Sequence, residues 1–291
     1  MNNNILHNTL LAITNNYFDS NNPLTFTAQT ANSTIKLTKT GSPVVNGLQY
    51  RTNKTSNWET YTIDTVITLT NVGDYVQFKN TKNQLSTSVS NYVKFSMTGA
   101  IAASGDIQSM LNYSTFCTDY CYYKMFSSCT SLTTAPELST TNLAQNCYNN
   151  MFNRCTSLTT APELPATTLA NQCYYQMFYD CTNLTPAPKL PATTLANQCY
   201  YYMFTNCTSL TRAPELPATN LANQCYYYMF YGCKNLSYIK VRFTNWNADG
   251  HSTIGWLSNA SPSGTFECPS AFDTSIRGTS YIPDGWNIKT Y

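Results

Sequence analysis

Apolar residues recur with two different periods along this chain. Between residues 24 and 105 they alternate with polar ones: Leu24 and Phe26, Ile35 and Leu37, Tyr61 and Ile63, then the runs Val66-Ile-Thr-Leu69, Tyr75-Val-Gln-Phe78 and Tyr92-Val-Lys-Phe95-Ser-Met97. Alternation puts one face of a strand in a core and the other in water. Turn signals around Gly41, Gly73 and Gly99 separate the runs. Six or more short strands at this spacing predict a small antiparallel β-sandwich.

Beyond Cys117 the pattern changes to a repeat with a step of 26 residues. Ten of the twelve cysteines fall into two columns, Cys121, Cys147, Cys173, Cys199, Cys225 and Cys129, Cys155, Cys181, Cys207, Cys233. Met125, Phe126 and Leu132 head columns with the same step. Five copies in phase indicate stacked structural units, none able to bury its apolar side alone. Within one unit Ala170, Cys173, Tyr174, Met177, Phe178 and Cys181 are spaced i, i+3, i+4, i+7, i+8 and i+11, which predicts an α-helix with one buried side. Thr167 or Thr168 would cap it, and Pro188 would limit any following strand to a short stub.

The two ends read differently. Residues 4–18 carry Leu6, Leu10, Ile13 and Tyr17 on one side of a notional helix, so residues 1–22 are an N-terminal tail or an anchoring helix. No basic residue precedes their apolar centre, so the start reads as mature protein and not as an export signal. The C-terminal stretch with Trp246, Trp256, Phe266, Phe272 and Trp286 reads as a β-rich cap over the last unit, in preference to a tryptophan platform for sugars.

Composition narrows the function. Of 291 residues only 10% are charged, against about 25% in ordinary soluble proteins, and the net charge is +2. Nucleic-acid binding, which needs clustered Lys and Arg, is disfavoured. Two histidines at opposite ends, His7 and His251, leave little material for a metal site or an acid–base pair, so no catalytic residue, metal ligand or cofactor is assigned. No apolar run is long enough for a membrane span. Asn, Thr, Ser and 23 Tyr replace the missing charge, giving a neutral, aromatic surface of the kind found on binding faces.

Residues 195–214, L-A-x-x-C-Y-x-x-M-F-x-x-C-T-S-L-T-x-A-P, resemble the BspA-like bacterial surface leucine-rich repeat. The resemblance covers residues 117–238 and departs from the family in placing Met before Phe, and A-P-E-L-P where an Ile-rich strand is common. It implies a leucine-rich-repeat solenoid, with a helix plus a short strand in each turn, on a surface-displayed binding protein. The expected architecture is therefore α+β: tail 1–22, β-sandwich 23–105, solenoid 106–238 and β cap 239–291.

On a helix the two cysteines of a unit would be roughly 12 Å apart, and packed helices sit about 8 to 10 Å apart, so disulfides are not expected and the thiols read as small buried apolar groups. That suits assembly in a reducing cytoplasm, as for a phage protein released by lysis. Glu137, Glu163 and Glu215 share a column in which Lys189 stands between like charges and would relieve them. Positions that vary between units are the candidate binding face: Tyr175, Tyr179, Tyr201, Tyr202, Tyr227, Tyr228 and Tyr231 along one side, with Arg212 in a rival column that also holds Thr134, Thr160 and Pro186. The same tyrosines would equally suit packing against a sister subunit. The expected function is non-enzymatic adhesion or receptor recognition by a phage head or tail fibre at the virion surface. Its partners would be a host-surface glycan or protein and an anchoring partner for the N-terminal region. A bacterial cell-surface adhesin and an accessory module of a glycan-degrading enzyme are the alternatives.

Overall fold

A computed structural model describes residues 22–246 and 251–291. The anchoring-helix expectation for residues 1–22 falls almost wholly outside them. Five of the six alternating runs become strands of two facing sheets; the run at Tyr61 and Ile63 does not, and residues 48–52, 59–60 and 101–104 add strands that the alternation does not mark. One has the order β4(Glu59–Thr60), β3(Leu48–Thr52), β6(Tyr75–Asn80), β1(Leu24–Ala28), β8(Ile101–Ser104), β9(Leu132–Thr134); the other is β5(Ile67–Leu69), β2(Ser33–Thr40), β7(Tyr92–Thr98). Inward residues of both sheets meet in a tight aromatic core, where Phe26 lies 4.7 Å from Phe95 and 6.0 Å from Phe78 between ring centres. Tyr61 is buried there because its hydroxyl is satisfied, accepting from the Leu37 N–H and donating to the Thr65 carbonyl.

The helical leucine-rich-repeat solenoid does not form. Among the described residues there is no α-helix; the helical content is one 3-10 turn, Ile107–Leu111, and the chain is otherwise strands and turns. Each 26-residue unit makes a coil of linked β-turns instead. In residues 146–155 alternate N–H groups bond back three residues, as Asn149 to the Asn146 carbonyl and Met151 to that of Tyr148. The others bond forward to the next coil: Asn146 to Asn171, Tyr148 to Cys173, Asn150 to Tyr175, Phe152 to Met177 and Arg154 to Tyr179. Every fourth residue is left-handed, with φ of 57° at Gln172, 51° at Gln176 and 57° at Asp180, and the same positions repeat in the other coils. A right-handed helix cannot contain such residues, and a ribbon with a four-residue rhythm buries the same Cys-Tyr and Met-Phe pairs that a helical stripe would.

Because backbone bonds join the coils, neighbours are far closer than packed helices. Phe126, Phe152, Phe178, Phe204 and Phe230 stack face to face with centres 5.2 to 5.6 Å apart. Tyr122, Tyr148, Tyr174, Tyr200 and Tyr226 form a second buried column at 5.5 to 6.0 Å. The sandwich starts both columns. Phe95 of β7 stacks on Phe126 at 5.5 Å, the Tyr122 hydroxyl reaches Gln108 and the Ile107 carbonyl, and β8 pairs with β9 of the first coil in parallel. The apolar core is consequently continuous from Leu24 to Trp286.

The helix-based cysteine distances fail with the helix. All twelve thiols are free and buried, but in the second column each points back one coil: Cys155, Cys181, Cys207 and Cys233 lie 3.0 to 3.1 Å from the carbonyls of Phe126, Phe152, Phe178 and Phe204. At the far end residues 252–258 continue the ribbon, accepting from Tyr226, Tyr228, Phe230 and Gly232. Beside it β10(Tyr238–Lys240), β11(Gly264–Cys268) and β12(Trp286–Thr290) make a parallel sheet. Trp256 and Trp286 are buried, each indole N–H on a backbone carbonyl, so neither serves as a sugar platform.

Candidate functional site

The ribbon leaves two residues of every four pointing outward; these are Tyr175 and Gln176 in one coil and a pair of tyrosines in each of the next two. Tyr175, Tyr201 and Tyr227 occupy one row, just before a left-handed position, and stack at 4.7 and 4.6 Å with planes within 7°. Tyr202 and Tyr228 are themselves left-handed, φ 54° and 49°, and stack at 5.1 Å in a second row. The rows touch one another: Tyr201 lies 4.7 Å from Tyr202 and Tyr227 lies 4.8 Å from Tyr228. Tyr179 joins through Tyr202 at 6.5 Å, and Tyr231 through Tyr228 at 5.3 Å. All seven tyrosines picked out in the sequence thus form one half-buried surface patch.

Gly255 closes one edge of the patch. Its φ is +60° and a Cβ there would lie 2.8 Å from the Tyr228 ring, so only glycine admits this contact without displacement. Burial raises the pKa of Tyr175, Tyr201 and Tyr202, and for Tyr201 the neighbouring Tyr175, Tyr202 and Tyr227 raise it further. The hydroxyls of these three stay protonated at neutral pH and can both donate and accept hydrogen bonds.

Arg212 is not part of this patch. It lies on the strand side, where Arg212 bridges Tyr238 and its guanidinium sits 3.6 Å over the Tyr238 ring. Tyr238 in turn donates to Glu267 at 2.9 Å. The relief assigned to Lys189 is also not seen. Arg242 meets Glu215 at 2.6 Å, and among the described residues Lys189 makes no ion pair within 4.0 Å. A cavity of 540 Å³ opens beside it between the proline loops, walled by Pro188, Leu190, Pro191, Pro214 and Pro217.

Several neighbours of the patch escaped the sequence reading. An amide ladder runs through the second coil, Asn149 donating to Asn146 at 2.6 Å and Asn153 to Asn150 at 2.9 Å. A second ladder crosses three coils, Gln172 donating to Gln198 and Gln198 to Gln224. At the sandwich end Tyr92, Tyr120 and the buried Tyr123 form a separate aromatic cluster, divided from Tyr175 by Asn149, with the Lys124 ammonium 5.2 Å over Tyr123. The signal was present for most of them, since Gln172, Gln198 and Gln224 share one 26-residue column and Tyr123 shares the column of Tyr175.

Among the described residues no group of three or more His, Cys, Asp and Glu is placed to hold a metal ion, and no helix is long and apolar enough to cross a membrane. Comparison of the chain with family models, curated proteins and solved structures found no match.

Proposed function

We propose that this chain is a non-enzymatic adhesion or receptor-recognition protein displayed on a bacteriophage head or tail fibre, and that it grips a host-surface glycan or protein with the tyrosine patch. The observation that carries the reading is the double row of stacked rings from Tyr175 to Tyr228. Ring-on-ring contact and the backbone ladder beneath fix these side chains before any ligand arrives, so little rotamer entropy is lost on binding. Tyrosine supplies apolar area for a sugar face or a protein side chain, and a hydroxyl to orient it. A surface with few charges also suits close approach to neutral glycans, whose hydroxyls compete poorly with water for isolated ions.

The test is attachment to host cells by protein carrying Tyr202→Ser and Tyr228→Ser. Binding falls by about tenfold or more if these rings are central to the interface, with the melting temperature nearly unchanged because both rings lie on the surface of the stack. Attachment equal to wild type would remove the patch from the reading.

The same patch fits a second occupant, a sister copy of the chain, because its rings form a contiguous apolar area at the surface. Light scattering distinguishes the two: a homo-oligomer that dissociates in the double variant assigns the rings to self-association.

A further inference from the structure

The outer face of the six-stranded sheet carries a second arrangement that the adhesion reading does not use. Trp58 continues the β3–β4 register opposite Arg51, next to the paired Tyr50 and Glu59. The Arg51 guanidinium lies 4.7 Å from the indole centre and the Lys79 ammonium 4.4 Å. Arg51 is held in place because its Nε donates to Gln77 Oε1 at 2.6 Å, and Gln77 donates onward to Thr25 at 3.1 Å. Among the described residues neither cation has a carboxylate within 4.0 Å.

Two cations share one ring, and with no counter-charge in the pair they repel. Burial and the Arg51 charge together lower the pKa of Lys79. In a chain with so few charged side chains, a pair of cations at a cavity with no carboxylate beside it among the described residues is a specific feature and not the background of a basic surface. The cavity it borders measures 300 Å³, and Thr81, Asn112 and Tyr113 supply hydroxyl and amide groups to its wall. That volume is at the lower end of the range for small-ligand pockets, about 300 to 1,000 Å³, which suits one sugar residue and not a chain.

We propose that this cavity binds the carboxylate of a single acidic sugar residue, with Arg51 and Lys79 taking the charge and the polar wall taking ring hydroxyls. The guanidinium fork matches a carboxylate in shape, and the ammonium adds a second, point-like charge. The site shares no residue with the tyrosine patch, so its assignment stands or falls independently of the adhesion reading.

Calorimetry on the full chain, with tryptophan fluorescence as a second readout, tests it with three probes: glucuronic acid, glucose as its neutral counterpart, and inorganic phosphate as charge alone. Glucuronate binds at millimolar concentration or below, glucose does not, and about 0.5 M salt weakens the binding severalfold. Arg51→Gln and Lys79→Gln each reduce the affinity about tenfold, with unchanged melting temperatures. Trp58→Phe, which keeps a ring face for the cations, costs less. Failure of glucuronate to bind at roughly 10 mM overturns the proposal, as does equal binding of glucose or indifference to both charge substitutions. Phosphate binding as tightly as glucuronate overturns the sugar assignment, because the cavity would then read charge only.

Discussion

The thiol of Cys181 illustrates how one side chain serves the stack. It is fully buried, 3.1 Å from the Phe152 carbonyl of the preceding coil, where a larger group would not fit between layers only one strand spacing apart. Burial carries a titration consequence. It pushes the Cys129, Cys173, Cys225 and Cys233 thiols from 9.0 up to about 12. Above pH 9 the unfolded chain loses these protons while the folded chain keeps them, so stability is intact below that point and falls as pH rises toward 12. Each such thiol contributes a slope of about 1.4 kcal/mol per pH unit in that window. Denaturant titrations at pH 8, 9.5 and 11 should show this decline, and Cys233→Ala should flatten it while lowering stability at pH 8 by roughly 1 to 2 kcal/mol. A decline no steeper in wild type than in the variant would contradict the burial of that thiol.

At the scale of the element, the left-handed residues decide between ribbon and helix. Gln176→Val should destabilise by about 1 to 2 kcal/mol, since a β-branched side chain tolerates positive φ poorly, whereas Gln176→Gly should fall within about 0.5 kcal/mol of wild type. In a helix the order would reverse, valine being tolerated better than glycine, so a pair of thermal melts separates the two structures. This is also where reading from sequence reached its limit. Five sandwich strands were legible because residues such as Leu24, Phe26, Val93 and Phe95 alternate with polar partners, whereas Leu48–Thr52 and Ile101–Ser104 were not read and Tyr61, anchored by its hydroxyl, lies outside any strand. The coil was legible as a repeat with a buried Cys, Tyr, Met and Phe side, and all seven tyrosines of the patch were found from their variation between units. Its backbone was not, because spacings of three, four, seven and eight fit a 3.6-residue helix and a four-residue ribbon alike. The discriminating sign was Asn146, Asn150, Asn206 and Gly232, residue types that enter the left-handed region readily, recurring where a helix would favour Ala, Leu or Glu. Arg212 was misplaced for a related reason, since a variable column shows that a position is exposed and not which side it faces.

For the molecule as a whole, equivalence of the coils makes length adjustable. Deleting residues 190–215 removes one full period and joins Lys189 to Leu216, leaving every column in register. The shortened chain should fold with a cooperative melt at lower temperature, because stability in a stack is close to a sum of unit and interface terms. Deleting residues 190–202, half a period, would set Phe204 and Cys207 at the exposed positions of Pro191 and Thr194 and should leave no cooperative melt. Circular dichroism through the thermal transition distinguishes the two, and folding of the half-period deletion would contradict registered stacking.

The forward bonds of the ribbon have one further effect. In each of the first four coils five N–H groups point toward the C-terminal end and five carbonyls of the following coil point back. Aligned peptide dipoles add, as they do along a helix, but here the sense of the sum is inverted: the positive pole is at the cap and the negative pole at the sandwich. In a molecule whose net charge is only +2, the ribbon thereby adds a positive pole at the cap end, one that would draw an anionic surface toward it.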